Sequence, residues 1–498
     1  MKKNLLPSCL TSGTYLKRSG LALALLGLAP AAFGQTFATV VTYPAGNNAN
    51  PLSLALADVN NDGKRDIITA NNGSSVVGVL LGSGTGTFAA VTTTSAGTNT
   101  GPYDIAVADV NADGKLDVLT ANYNTSNVSV LLGNGNGGFA AAVTYSTGAG
   151  SQPFGLAVAD VNADGKPDII SANTYSQSVG VLLGNGNGTF AAVTAIPTGT
   201  SAPNKVAVAD VNADGKPDII SANGNGNLLG VLLGNGNGTF QAFATTALGA
   251  SNSPSSLALA DLNADGKLDV VVTISYGGTS GGGTVGVLLG NGNGTFASLA
   301  SYGTGSSSFP NSVAVADVSG DGKPDIITAN AGNYSAGVLV NNGNGTFKAV
   351  TTFLAGSSNN PMPYGVAVAD VNGDNKPDVV TSNVSTNTVS VLLNTSTFLA
   401  ARPATLPADL TLYPNPTFAT AAFTASSLPT EVRSVEATLF NSLGQAVGQA
   451  TVAAAQGTAH TELPTAGLAP GIYLVRLNAV DAQGAVVGAL PTQRLCVR

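Results

Sequence analysis

A nine-residue motif rich in aspartate recurs seven times along the 498-residue chain. The pattern is Asp-(Val/Leu)-(Asn/Ser)-x-Asp-(Gly/Asn)-Lys-x-Asp, and its first copy runs from Asp58 to Asp66. Side-chain oxygens stand at positions 1, 3, 5 and 9, and we expect the lysine at position 7 to turn its carbonyl inward and its side chain out. Alternate oxygens on a tight loop suit a hard cation, and Ca²⁺ takes about six to eight of them. The motif therefore predicts one cation site per copy.

We call these segments the Asp loops and number their positions 1 to 9. The predicted ligands, with lysine acting through its carbonyl, are Asp58, Asn60, Asp62, Lys64, Asp66, Asp109, Asn111, Asp113, Lys115, Asp117, Asp160, Asn162, Asp164, Lys166, Asp168, Asp210, Asn212, Asp214, Lys216, Asp218, Asp261, Asn263, Asp265, Lys267, Asp269, Asp317, Ser319, Asp321, Lys323, Asp325, Asp370, Asn372, Asp374, Lys376 and Asp378. Ser319 at position 3 and Asn375 at position 6 differ from the Asn and Gly that the other six copies carry there.

Three other interpretations compete with calcium. Turn chemistry alone explains positions 3 to 6, but it does not explain acids at positions 1 and 9. An EF-hand needs a Glu at position 12 and flanking helices, whereas position 12 is Thr, Ser or Val here. Mg²⁺ prefers fewer carboxylates and strict octahedral geometry. We therefore expect up to seven structural Ca²⁺ ions.

Composition excludes several classes of function. Residues 35–400 contain 22 Asp and 10 Lys or Arg, a net charge of −12, so a nucleic-acid partner is not expected. One His and two Cys in the whole chain leave little material for zinc sites, nucleophile–base pairs or a disulfide framework. Outside the Asp loops, Asp104 is the only acid between residues 35 and 400, so we do not expect an enzyme.

The motifs are 50 to 56 residues apart, and each interval contains four short runs rich in Val, Ile, Leu and Thr. Such runs, divided by Gly and Asn turns, predict antiparallel strands, and four per repeat predict a propeller blade. In repeat two the predicted strands include 105–108, 118–120, 127–132 and 139–145. A spare fourth strand, Thr36 to Tyr43, precedes repeat one. We predict an all-β, seven-bladed β-propeller over residues 35–398, closed by the N-terminal strand.

The repeats resemble FG-GAP/VCBS repeats, the seven-bladed propeller of the integrin α-subunit head and of integrin-like lectins. The resemblance covers about residues 36–400. It implies Ca²⁺ in the loops between strands one and two of each blade, and an adhesion or lectin activity.

The two ends of the chain predict export. Residues 1–34 combine a basic start, an apolar run and Ala32-Phe33-Gly34, which predicts a signal peptide cleaved before Gln35 and no membrane span in the mature chain. A linker over 399–408 precedes a predicted Ig-like β-sandwich over 409–498. Its segments at 413–416, 439–445, 467–476 and 493–498 resemble the type A sorting domain of the type IX secretion system. That resemblance implies a translocon partner and a secreted or outer-surface protein of a Gram-negative bacterium; an ordinary accessory domain is the alternative.

The predicted function is an adhesion module that binds a glycan or a protein. Aromatic side chains expected in the loops opposite the Asp loops are the candidate ligand-binding residues: Tyr103, Tyr123, Phe154, Tyr175, Tyr276, Phe309, Tyr334 and Tyr364. A surface scaffold without a discrete ligand and an accessory subunit of a secreted enzyme remain as alternatives.

Overall fold

The structure is a computed structural model that describes residues 35–249, 253–275, 282–356, 360–396, 409–413, 421–426, 428, 432–440, 446–455, 457–463, 465, 468, 471–480 and 486–497. The predicted signal peptide, the predicted linker and Tyr276 lie outside the described residues. Within them the regular structure is entirely β. No helix there is long and apolar enough to cross a membrane.

Residues 35–396 form seven antiparallel sheets of four strands each. Six of them take four consecutive strands. These are β2 (Pro51–Ala57), β3 (Asp66–Asn71), β4 (Val76–Leu80) and β5 (Thr92–Ser95); β6 (Pro102–Ala108), β7 (Asp117–Asn122), β8 (Asn127–Leu131) and β9 (Val143–Ser146); β10 (Pro153–Ala159), β11 (Asp168–Asn173), β12 (Ser178–Leu182) and β13 (Thr194–Pro197); β14 (Pro203–Ala209), β15 (Asp218–Asn223), β16 (Leu228–Leu232) and β17 (Ala244–Ala247); β18 (Pro254–Ala260), β19 (Asp269–Ile274), β20 (Thr284–Leu288) and β21 (Ala300–Gly303); and β22 (Pro310–Ala316), β23 (Asp325–Asn330), β24 (Ser335–Leu339) and β25 (Thr351–Leu354).

The seventh sheet combines both ends of this region. It contains β26 (Pro363–Ala369), β27 (Asp378–Asn383), β28 (Thr388–Leu392) and, as its fourth strand, β1 (Val41–Pro44). Thr42 is the Cα partner of Ser390, and Phe37 forms a further bridge with Asn394. The spare N-terminal strand therefore pairs where the sequence predicts.

Burial differs among the four strands of a repeat. The second strand of each repeat is buried along its whole length, as in Asp66–Asn71, because its run of apolar residues packs on both faces. The fourth strand of each repeat is mostly exposed, as in Val143–Ser146. The predicted fourth strand of repeat two is wrong in its bounds, because Phe139 pairs with Gly133 in an isolated bridge that closes the Gly/Asn turn.

Backbone hydrogen bonds join successive repeats at the Asp loops. The carbonyl of Val59, at position 2 of the first loop, accepts from the Gly137 amide of the next repeat at 3.1 Å. The Gly86 amide of repeat one donates to Val371 of repeat seven at 3.1 Å. The first strands β2, β6, β10, β14, β18, β22 and β26 also contact one another in that order, and β26 contacts β2.

The C-terminal residues form two sheets that share one core. The first contains β29 (Asp409–Tyr413), β30 (Ala421–Ser426) and β33 (Ala459–Leu463); the second contains β31 (Ser434–Phe440), β32 (Ala446–Ala453), β34 (Gly471–Val480) and β35 (Val486–Val497). Phe423 of the first sheet and Leu439 and Val475 of the second are among the buried side chains. The lone His460 is exposed, and its Nδ1 lies 2.7 Å from the Thr424 hydroxyl.

Candidate functional site

In each Asp loop, backbone amides donate hydrogen bonds to side-chain oxygens of the same loop. In the first loop Asp58 accepts from the amides of Asp62 and Gly63, at 3.0 and 2.7 Å. Asn60 accepts from the Asp62 amide, and Asp62 accepts from the Lys64 amide. Short polar side chains commonly close turns in this way. Position 6 is left-handed in all seven loops, and Asn375 adopts φ 61° where the others have Gly.

The aspartate at position 9 is buried and binds two amides of its own repeat. Asp66 is fully inaccessible; its Oδ2 accepts from the Val59 amide at 3.0 Å and its Oδ1 from the Gly82 amide at 2.8 Å. The same pair of bonds recurs at Asp117, Asp168, Asp218, Asp269, Asp325 and Asp378. This carboxylate ties the start of the Asp loop to the end of the third strand.

The lysine at position 7 corrects one expectation. Its side chain does not point away from the loop, because Lys64 Nζ lies 3.2 Å from Asp62 Oδ2. The other six loops repeat this ion pair, with separations between 3.3 and 3.8 Å. The carboxylate at position 5 is thus partly neutralised within the protein itself.

The loops offer the right donor chemistry for a hard cation but do not present a formed cluster. Carboxylate, amide and carbonyl oxygens lie on one mostly exposed turn, which fits Ca²⁺. In the described part of the chain, however, no group of three or more His, Cys, Asp or Glu side chains is placed to hold a metal ion. The acids at positions 1, 5 and 9 would have to converge for one ion to contact all three.

Burial shifts the titration of the position 9 carboxyls. It raises the pKa of Asp325 and of Asp378 to about 6, against the lowering effect of the amides that bind them. Burial also raises the pKa of Asp66, to which the charges of Asp62 and Asp58 add. An ionised carboxylate at position 9 therefore costs stability unless a positive charge compensates it.

A second site lies where the first strands of all seven sheets begin. Each first strand has a β-bulge directly after its proline, as between Pro102 and Asp104. The other six bulges follow Pro51, Pro153, Pro203, Pro254, Pro310 and Pro363. A bulge redirects a side chain out of the sheet pattern. The bulge residues, Tyr103 among them, line one cavity of about 60 Å³, here called the central cavity.

One half of the central cavity is aromatic and the other half is polar. The rings of Tyr103 and Phe154 are stacked, with centroids 4.3 Å apart, and Tyr364 meets Tyr103 edge to face and through a hydroxyl hydrogen bond. Burial raises the pKa of the Tyr103 hydroxyl, and the neighbouring Tyr364 adds to the shift. Asn204, Ser255, Asn311 and other polar residues line the remaining wall.

A partly buried ion pair lies in the wall of the central cavity. Asp104 is 4% exposed and pairs with Lys205 of repeat four. It also accepts from the Ser53 hydroxyl at 2.8 Å and the Leu156 amide at 2.9 Å. The sequence marks Asp104 as the spare acid, but its pairing with Lys205 was not predicted. The signal was present, because these two are the only charged residues in the seven first strands.

The structure divides the predicted aromatic residues into separate groups. Tyr103, Phe154 and Tyr364 lie in first strands, not in loops as predicted, and Tyr123 joins them with its ring 5.1 Å from that of Phe154. Phe309 and Tyr334 share another cavity, described below. Tyr175 is 70% exposed and lines neither of these cavities.

Comparison with protein families identifies both parts of the chain. The FG-GAP-like repeat model matches residues 58–120, 109–171, 160–221, 210–272, 274–328 and 319–381. The chain belongs to the FG-GAP-like repeat family. Residues 411–486 match the secretion system C-terminal sorting domain, so the resemblance predicted for each part is confirmed and the chain carries a type IX sorting signal. A comparison with curated proteins finds no match.

Two solved structures resemble this FG-GAP-like protein at a distance. A candidate 6-phosphogluconolactonase from Bacteroides uniformis is 16% identical, with a TM-score of 0.49 over 68% of this chain and 95% of that one. The extracellular domain of a candidate hybrid two-component system from B. thetaiotaomicron is 11% identical, with a TM-score of 0.45. That second match covers 93% of this chain and spans 60% of the other.

The two hydrogen bonds that the buried aspartate at position 9 accepts from backbone amides predict unequal losses of stability for two conservative substitutions. Asp66→Asn replaces one of the two acceptor oxygens with an NH₂ donor that faces a backbone amide. We therefore expect the free energy of unfolding to fall by about 1–3 kcal/mol. Asp62→Asn removes an exposed ion pair, which is worth about 0–1 kcal/mol. Thermal unfolding of the two variants in EDTA compares these losses. Equal melting temperatures would contradict a stabilising role for the hydrogen bonds of the position 9 aspartate.

The raised pKa values at position 9 predict a pH dependence of stability. The folded chain binds protons more tightly than the unfolded chain at Asp325 and Asp378, so in EDTA the melting temperature should rise as pH falls from 7 to 5. Asp113 does not change this trend, because the hydrogen bond from the Lys115 amide chiefly lowers its pKa. Its protonation affects stability only below the ordinary Asp pKa of about 4. The double variant Asp325→Asn, Asp378→Asn should flatten the rise. A melting temperature that falls over this range would contradict the assignment.

Proposed function

We propose that this FG-GAP-like protein is an exported, non-catalytic binding module, and that its repeats form a closed seven-bladed β-propeller. Support for closure comes from three features: the β1–β28 pairing, the Gly86–Val371 bond and the convergence of seven first strands on one cavity. The sorting domain supports secretion to the cell surface. A signal peptide over 1–34 and a Gram-negative outer surface are part of the proposal.

The observation that carries the binding role is the two-sided central cavity. Aromatic faces opposite amides and hydroxyls suit a ligand with both an apolar face and polar edges, such as a sugar or a protein side chain. At about 60 Å³ the cavity admits only one projecting group, so the ligand would pack that group against the stacked rings of Tyr103 and Phe154. The engagement of Asp104 with Lys205, Ser53 and Leu156 supports recognition over acid–base catalysis.

Calcium is the second element of the proposal. The ligands would be the side chains at positions 1, 3, 5 and 9 and the carbonyl at position 7 of each Asp loop. The ion would supply the positive charge that compensates the buried carboxylate at position 9. The lysine at position 7 competes with the ion for the position 5 carboxylate. Neutralising that lysine, as in Lys64→Gln, should therefore tighten calcium binding at its loop.

Removing calcium should lower the melting temperature of the full chain. At ten times Kd each occupied site contributes about 1.4 kcal/mol, and seven sites add up to a large share of a domain's stability. Adding Ca²⁺ back in excess over EDTA should restore the melting temperature, whereas Mg²⁺ should restore less of it. A melting temperature unchanged by EDTA would contradict a structural role for calcium.

A glycan array probed with the full chain, in calcium and in EDTA, tests the ligand. We expect selective binding that Phe154→Ala weakens at least tenfold and that the control Tyr175→Ala, on an exposed ring elsewhere, leaves intact. Binding that both variants retain would place the ligand outside the central cavity. A blank array with a calcium-stabilised fold would favour a protein ligand or a surface scaffold.

A further inference from the structure

Three bulky side chains occupy backbone conformations that such residues rarely adopt. Phe309, Tyr334 and Met362 have φ values of 44°, 60° and 48°. Positive φ is common for Gly and tolerated by Asn, but it strains a residue with a large side chain. Strain of this kind persists where the surrounding structure enforces it and concentrates at functional sites.

The other repeats show which residues these positions normally carry. The residue before the first-strand proline, held by Phe309 and Met362, is left-handed in repeats one to three as Asn50, Gly101 and Gln152. The turn position of Tyr334 is left-handed in five other repeats, where it is occupied by small or flexible polar residues: Ser75, Ser126, Gln177, Asn227 and Asn387. The bulky residues at both positions thus belong to repeats six and seven.

All three exceptions line the same cavity. It measures about 310 Å³ and also includes Asn311 and Gly332. Gly332 makes room for the ring, because a Cβ there would lie 2.2 Å from Phe309 Cδ2. Met362 is 41% exposed, so its position is not explained by burial in the core.

The lining selects the kind of group that fits. Among the described residues the lining contains a phenyl ring, a phenol and a thioether and no charged side chain, so it offers a charged ligand no ion pair. The other polar side chains in the described part of the lining are Asn311 and Ser275, and the Ser275 hydroxyl already donates to the Pro310 carbonyl at 2.9 Å. A sugar needs several such groups for its hydroxyls, whereas an aromatic side chain needs apolar contact and a thioether.

We propose that this cavity, here called the aromatic pocket, binds an uncharged aromatic side chain of a polypeptide partner. Its volume lies at the lower end of the range for ligand sites, about 300–1,000 Å³, which suits one anchoring side chain. At many protein interfaces, aromatic side chains that insert into a pocket of the partner carry much of the binding energy. The aromatic pocket adjoins the central cavity through Asn311 and does not depend on ligand binding there.

The absence of tryptophan from this chain permits a direct test. Fluorescence of N-acetyl-tryptophanamide, excited where tyrosine does not absorb, reports the bound probe without background from the protein. The full chain should bind the probe. Phe309→Asn, Tyr334→Asn and Met362→Gln give each position a residue that other repeats carry there, and each should weaken binding at least tenfold.

Melting temperatures separate a binding role from a packing role. Because Asn and Gln already occupy these left-handed positions elsewhere, the three variants should melt at the wild-type temperature or above it. Ser126→Asn, at the matching turn of repeat two, is the control and should change neither binding nor melting. A lower melting temperature with unchanged probe affinity would overturn the proposal, since the residues would then serve packing.

Two further results would also overturn it. One is the absence of probe binding at millimolar concentration, or displacement of the probe by methyl glucoside, which would indicate a sugar. The other is loss of probe binding in Phe154→Ala, which would place the probe in the central cavity. Failure of the glycan array leaves these results unaffected, so the two proposals fail separately.

Discussion

The backbone of the residue at position 2 of each Asp loop is the junction on which the repeats depend. Its amide donates to the buried aspartate at position 9 of the same loop, as Val59 does to Asp66. Its carbonyl accepts from the following repeat, as Val59 does from Gly137. In repeats six and seven the donor is a side-chain amide, that of Asn341 to Leu262 and that of Asn394 to Val318. A buried carboxylate therefore fixes the residue through which one sheet is attached to the next.

This regular framework leaves the opposite ends of the strands free to differ. At the bulge that follows each first-strand proline, the repeats carry Leu, Tyr, Phe, Asn or Ser, and the result is a cavity with an aromatic and a polar side. Asp104 and Lys205 stabilise that cavity across three repeats. The binding role that we propose would therefore rest on the positions where the repeats diverge, whereas the hydrogen bonds that join the repeats lie where they agree.

The periodicity of the sequence predicts the strands and the pairing of the N-terminal strand, because seven copies of one pattern expose its spacing. It does not predict the two amides bound by Asp66 or the ion pair of Lys64 with Asp62, which depend on the path of the loop backbone. The bulge that turns Tyr103 into the central cavity and the approach of Lys205 to Asp104 are tertiary features. A single repeat contains no information about them, although the two isolated charges were a usable signal.

The pairing of the two ends of the repeat region is the most direct test of the proposed closed ring. Thr42→Cys with Ser390→Cys places thiols on Cα partners of β1 and β28, and Ser129→Cys with Thr144→Cys is the matched pair within repeat two. Disulfide formation in air, measured by thiol titration and by migration on non-reducing gels, should proceed to the same extent in both. Oxidation of the repeat-two pair alone, with the two thiols introduced into β1 and β28 remaining reduced, would contradict closure by the N-terminal strand.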